Sequence, residues 1–297
     1  MSDTQTHPLK AALWMMGAVV GFSSMAVAGR QLAGGLDTFE IMTYRSALGV
    51  AIVVAVAVLT GKTGDIRGRA LHLHLGRNIS HFAGQNLWLY ALTVIPLAQL
   101  FALEFSYPIL VALGASLFLG ERLTPLRVVT ALVGFVGILI VARPFGAGGL
   151  SVGILAAMAC AAGFAGSALF TKQLTRTAHV TILQIMFWLS LMQLGLGLIC
   201  GFWDGELAML TAAQAPWVAL IGVAGLGAHY CLTTALSLAP ASVVVPVDFL
   251  RLPLIGIVGM LGYNEPLDAL VFVGAALIFG ANYANILAET RRRPARA

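Results

Sequence analysis

Four ionised side chains stand where ions are costly. Arg45, Glu104, Asp248 and Arg251 each fall well inside a long apolar run of the 297-residue chain. A charge at the centre of a bilayer costs at least about 2.5–3.5 kcal/mol on insertion scales, so such residues mark solute pathways, proton relays or buried ion pairs. Asp248 and Arg251 are three positions apart, which puts them on one face of a helix. Arg45 and Glu104 lie about seven and about six residues into their runs from the same side, and at about 1.5 Å per residue they share a depth. The spacing predicts that Arg45 and Glu104 form an intramembrane charge pair or gate. A zwitterionic solute suits this set, with a carboxylate on Arg and an ammonium on Glu or Asp. The opposing reading is that each pair neutralises itself and fixes helix packing. Glu104 or Asp248 is also a candidate proton carrier.

A polar stripe accompanies the charges. Asn78, His81, Gln85 and Trp88 recur at helical spacing, with Asn86 and Tyr90 beside them. His229 and Tyr230 occupy the positions 144 residues after Gln85 and Asn86. These residues and Tyr107 predict a cavity that is polar and aromatic, with Trp14, Tyr44 and Trp188 as further walls. For any one of them the alternative is an interhelical hydrogen bond of about 0.6 kcal/mol. Pro108, Pro246 and Pro253 interrupt apolar runs. Each removes a helical hydrogen bond, so kinks are expected there, and kinked spans point to a binding site and gate.

Other chemistries find little footing. Cys160, Cys200 and Cys231 lie in apolar runs without metal-ligand spacing or a disulfide framework. His72 and His74 alternate with leucines and have no acidic or Cys company, so no metal is expected. There is no G-x-x-x-x-G-K-[ST] sequence, so ATP does not drive the chain directly. No H-E-x-x-H motif or partnered nucleophile supports an enzyme, and no cofactor is implied. Glu121 and Glu265 close apolar runs at loops, where they are expected to cap or anchor.

These residues are positioned by a chain that is nearly all membrane. Hydrophobic residues make up 59% and charged residues 10%, against about 25% charged in a soluble domain, and the mean hydropathy is +0.92. The runs do not alternate as barrel strands do, which leaves helices. We read ten spans: 9–29, 38–60, 78–95, 98–119 and 126–142, then 150–170, 179–202, 215–236, 241–262 and 267–288. The motif Ala26-Val27-Ala28 before Gly29 is like a leader cleavage site, but its run is long for a leader and has an internal copy. With a cytoplasmic N-terminus, Lys10, Lys62, Arg67, Arg69, Arg77, Arg122, Arg127, Lys172, Arg176 and the C-terminal arginines share the inner side. Arg30 and Arg143 are left outside. This positive-inside bias orients both termini to the cytoplasm. It also explains the net charge of +5 without a nucleic-acid partner. Arg291 to Arg293 suit anionic lipid headgroups.

The two halves echo each other. At an offset of 142, Leu13, Gly21, Phe22 and Arg30-Gln31-Leu32 fall on Leu155, Gly163, Phe164 and Lys172-Gln173-Leu174. At 144, Pro96, Glu104, Phe105 and Glu121 fall on Pro240, Asp248, Phe249 and Glu265. Each half has an odd number of spans, so the second enters the membrane inverted. The fold class is thus all-α integral membrane, with ten transmembrane helices as two inverted-topology five-helix repeats. Residues 1–8 form an N-terminal tail, 9–142 the first repeat, 150–288 the second and 289–297 a basic C-terminal tail. Gly17 with Gly21, and Gly197 with Gly201, permit close helix contact that serves sliding or dimerisation equally.

The chain resembles the drug/metabolite transporter superfamily, EamA type. The residues that carry the likeness are Arg45 within 43–48, the stretch 86–92 from Asn86 to Leu92, Pro108 followed by 119–123, the Gly134 and Gly137 helix, and Pro253 followed by 264–267. The departure is Phe187, which stands where the second half would repeat Arg45. The resemblance implies an inner-membrane secondary transporter that works by alternating access. The implied cargo is an exported amino acid, neutral or aromatic, or a similar metabolite. The alternative cargo is a nucleotide derivative, vitamin or drug, and a further alternative is a membrane protein that transports nothing. The partners expected are a small solute and the lipid bilayer. Oligomeric state is left open. The cavity is expected between the third, fourth, eighth and ninth spans, helped by the first and sixth.

Overall fold

The computed structural model describes residues 7–118, 124–143, 149–176, 180–203, 205–239, 244 and 247–292. Helix α1 (Pro8–Leu32) starts on a proline, whose missing N–H costs nothing in a first turn. Helix α2 (Thr38–Leu59) starts on a reciprocal cap: Asp37 accepts from the Glu40 N–H, and Glu40 accepts from the Asp37 N–H. Next come α3 (Leu71–Val94), α4 (Leu97–Glu104), α5 (Tyr107–Phe118) and α6 (Pro125–Ala142). The second half supplies α7 (Val152–Arg176), α8 (Ile182–Gly201), α9 (Ala215–Leu238), α10 (Arg251–Tyr263) and α11 (Ala269–Arg292). Among the described residues there is no strand, only an isolated bridge between Ala33 and Leu36.

Eight segments are long and apolar enough to cross a membrane, with α4 and α5 counted together over Leu97–Phe118. Helix α10 is a shorter apolar helix. Helix α3 has the length but carries the polar stripe, and it begins at Leu71 rather than at 78. The chain is therefore an all-α, multi-pass membrane protein built from two five-span halves. Leu59, Phe118, Ile199 and Leu261 are among the large apolar side chains on its outer face.

The halves are woven together. Helix α1 packs on α9, α7 on α3, α2 on α8 and α6 on α11. Exchanging the halves turns the first pairing into the second and returns each of the last two to itself, as a pseudo-two-fold axis requires. Small residues make the crossings close. A side chain on Gly163 would meet the Gly84 Cα at 2.7 Å and the Ser80 carbonyl at 2.9 Å, both on α3. Its repeat mate Gly21 faces Ala228 and the Ala224 carbonyl of α9. Gly197 rests on Thr43 of α2. These glycines serve helix contact inside the molecule.

One span in each half is broken. Helix α4 ends at Glu104 and α5 begins at Tyr107, with Phe105 and Ser106 between them. In the second half, Phe249 and Leu250 form a turn before α10. Phe105 and Phe249 are repeat mates, and their rings meet at 5.5 Å. Pro108 sits just beyond the first break. Pro253 lies in the first turn of α10, where a proline is tolerated, so it does not kink that helix. Pro246 lies outside the described residues, as do Glu121 and the 119–123 stretch.

Candidate functional site

The two broken spans bring three charges together. Arg251 Nη2 lies 3.3 Å from Glu104 Oε1, and its Nε lies 3.5 Å from Asp248 Oδ1. The Trp88 indole N–H donates to Glu104 Oε2 at 2.8 Å. The guanidinium stands over three rings, Phe22 at 5.0 Å, Phe101 at 5.1 Å and Phe105 at 4.9 Å. A desolvated cation gains from such faces. Tyr107 is half-buried and within electrostatic reach of all three charges.

This corrects the expected pair. Glu104 is joined to Arg251, and Arg45 makes no ion pair among the described residues. Arg45 lies with Ser46, Ser190, Gln193 and His229 around a cavity of about 20 Å³, enough for one water. Its Nη1 has no hydrogen-bond partner among the described residues. Equal depth fixed the height of Arg45 and Glu104 but not their direction. Arg45 on α2 looks toward α8 and α9, whereas Glu104 on α4 looks toward α10.

The stripe on α3 divides. Asn78 links α3 to α8: its Nδ2 bonds the His74 carbonyl at 2.8 Å, and its own carbonyl accepts from Gln193 at 3.0 Å. It serves packing. His81 meets Phe164 at 5.6 Å and His229 at 5.9 Å, and His229 meets Phe22 at 5.2 Å. His81 Nε2, Gln85 Nε2 and Asn86 Oδ1 are buried without hydrogen-bond partners among the described residues. Tyr230 is a second correction. It is 54% exposed and packs edge-on against Trp14 at 5.7 Å on the outer face. Adjacent helical residues diverge by about 100°, and with His229 turned to His81 and Phe22, Tyr230 turns outward to Trp14.

Some interior residues escaped the sequence reading. Arg77, counted there as a loop cation, is buried in α3 and donates to Thr171 Oγ1 at 2.8 Å. It continues the stripe one turn before His81. Asn282 on α11 donates to the Phe105 carbonyl at 2.8 Å. That carbonyl is free because the Ile109 N–H bonds Ser106 instead.

Glu265 closes one end of the molecule. It binds Arg30, and its Oε2 accepts the Leu97 N–H at 2.8 Å, at the start of α4. Arg30 also donates to the Ile95 carbonyl at 2.9 Å and lies 5.0 Å over Tyr263. The carboxylate thus ties α1, the start of α4 and the loop after α10 together, beyond the local cap expected of it.

Two intertwined five-span halves with broken helices at the centre are an arrangement found in membrane transporters. The EamA-like transporter family profile matches residues 9–143 and 151–286, and the chain belongs to that family. It is 31% identical over 277 residues to a riboflavin transporter of Brucella anthropi, covering 90% of this chain and 95% of that one. It is 23% identical over 280 residues to an S-adenosylmethionine uptake transporter of Rickettsia bellii, covering 94% of each. A solved crystal structure shares the fold, with a TM-score of 0.64 and 20% identity over 96% of this chain and 99% of that one.

Proposed function

We propose that this protein moves riboflavin, or a closely similar flat heteroaromatic polyol, across the bacterial inner membrane by alternating access. The observation that carries the reading is the set of unspent hydrogen-bonding groups between the halves. Arg45 Nη1, Arg77 Nη1 and Gln85 Nε2 are buried donors, and Asn86 Oδ1 is a buried acceptor, none with a partner among the described residues. Buried polar groups of this kind are costly unless a ligand or water answers them. An isoalloxazine edge offers carbonyl acceptors and one N–H, and its faces suit the aromatic walls at Phe22, Phe164 and His229. The charges of Glu104, Asp248 and Arg251 are occupied with one another, which removes the main argument for a zwitterion. The expectation of an exported amino acid therefore gives way to the vitamin alternative, and the riboflavin relative supports the change.

The cycle follows from the inverted halves. Rocking one half against the other opens the polar centre to each side in turn, and the breaks after Glu104 and Asp248 supply the hinges. The positive-inside bias supports cytoplasmic termini, which puts the Arg30–Glu265 closure on the outer side.

Counterflow into proteoliposomes tests the substrate. Vesicles loaded with unlabelled riboflavin should accumulate labelled riboflavin, and excess leucine or S-adenosylmethionine should not compete. Exchange of either competitor by folded protein that ignores riboflavin would overturn the assignment.

A further inference from the structure

We propose that Asp248 is a proton-binding site, loaded while Arg251 is engaged by Glu104 and unloaded when the two broken spans exchange roles. Glu104 and Asp248 are the same position in the two repeats. One cation serves both, because the repeat mate of Arg251 is Tyr107. Two carboxylates and one guanidinium leave a surplus negative charge.

Nothing nearby balances it. Arg251 is the one cation among the described residues that acts on Asp248, and also the one that acts on Glu104. Phe22 comes from α1 and Trp88 from α3, both uncharged. Glu104 faces the cluster from α4 and Tyr107 from α5. Cys160 on α7 interacts with Glu104, and His229 on α9 with Arg251. A lone charge in such surroundings is relieved most cheaply by protonation.

The geometry selects the oxygen. Glu104 is held as an anion by two donors, the Trp88 N–H at 2.8 Å and Arg251 Nη2 at 3.3 Å, and charge-assisted bonds of this kind are the strong ones. Asp248 has only longer contacts to the same guanidinium, Oδ2 accepting from Nη2 and Oδ1 facing Nε, each at 3.5 Å, and its Oδ1 forms no hydrogen bond among the described residues. The Asp248 side chain is also the more exposed carboxylate, 16% against 9% for Glu104. A proton taken from water onto Asp248 Oδ1 leaves the cluster neutral. Inverting the halves interchanges the surroundings of Glu104 and Asp248, so Arg251 then binds Asp248, and the proton leaves Asp248 for Glu104, now the lone carboxylate.

The consequence for coupling rests on the transport reading above, but the site itself is testable without any solute. Full-length protein in lipid nanodiscs, at neutral pH and with nothing added, is examined by infrared spectroscopy in the carboxylic-acid carbonyl region. One buried acid band is expected, and carboxyl-¹³C aspartate should shift it whereas labelled glutamate should not. Glu104→Gln and Asp248→Asn should each abolish the band, since either removes the surplus charge. Arg251→Met should double it. Absence of the band in the unmodified protein, its survival in Glu104→Gln, or a shift with labelled glutamate would each overturn the proposal. If Arg251→Met does not fold, the labelling and the two neutral replacements still decide.

Discussion

Replacing Gly163 with alanine tests how the halves are joined. The added methyl would lie 2.7 Å from the Gly84 Cα, 2.8 Å from the Gly84 nitrogen and 2.9 Å from the Ser80 carbonyl. All three are backbone atoms of α3, so no side chain can turn aside. The nearest contact falls about 0.7 Å short of an ordinary one at 3.4 Å, and α7 and α3 must separate to relieve it. Overpacking of this kind costs about 1–3 kcal/mol. Alanine returns about 0.5–1 kcal/mol of helix preference, so a net loss of up to about 2.5 kcal/mol is expected. Gly195 on α8 is the internal control, because a methyl there meets nothing within 4 Å. Gly195→Ala should gain about 0.5–1 kcal/mol. Thermal unfolding of both variants in one detergent gives the comparison. If Gly163→Ala melts at or above Gly195→Ala, the close α3–α7 crossing is not what holds the halves together, and the packing argument fails.

Arg251→Met should cost about 3–5 kcal/mol, because it leaves the buried Glu104 carboxylate without its cation. The triple variant Glu104→Gln, Asp248→Asn, Arg251→Met should recover most of that loss in the same melting assay, and a triple variant no better than the single would contradict the charge account. Glu265→Ala should cost about 1–2 kcal/mol, since it uncaps α4 and frees Arg30, whereas an unchanged melting temperature would show that the closure is held elsewhere. Asp268 lies just before the last span, which begins at Ala269 rather than at 267. The Arg143 hydrogen bond, helped by the Leu270 N–H, holds its carboxyl below the usual range. Its contribution is therefore present above the ordinary carboxylate value of about 3.9 and fades as pH falls through the lowered value. The pair is exposed, so Asp268→Asn should cost less than about 1 kcal/mol at neutral pH, and a larger loss in melts would argue against screening.

Much of the frame is written in hydropathy and spacing. Ten apolar runs and a shared offset lead to two inverted halves, because period and length are one-dimensional properties that a membrane converts directly into spans. Asp248 and Arg251 were legible as neighbours from their spacing, and they do meet, but across the turn at Phe249 and Leu250 rather than along one helix. The partner of Glu104 was not legible. Depth along the membrane normal follows from residue count, but the direction a side chain takes around its helix depends on which helices neighbour it. The same gap hid Tyr230, whose outward direction follows from how α9 lies against α1. Arg77 was hidden differently: a cation near the start of an apolar run reads as loop until the helix is known to begin at Leu71. Asn282 had no readable signal at all, because its purpose is to answer a carbonyl that exists only once the fourth span is broken.

What distinguishes this molecule from a symmetric scaffold is how little of its centre is symmetric. The crossings, the breaks and the Phe105–Phe249 contact obey the repeat, so in the proposed rocking cycle the two end states would be nearly equal in packing. The chemistry does not obey it. Arg45 is answered by Phe187, Arg251 by Tyr107, and Gln85 by His229. Equal packing lets the halves exchange places at little cost, while unequal side chains let each state hold something different. A cation shared between Glu104 and Asp248 is the sharpest case. It can satisfy one carboxylate fully or the other, and it stands between them, with one contact of 3.3 Å to Glu104 and two of 3.5 Å to Asp248. In the proposed cycle, packing symmetry supplies the motion, and the broken symmetry of a few polar residues gives it a direction and a cargo.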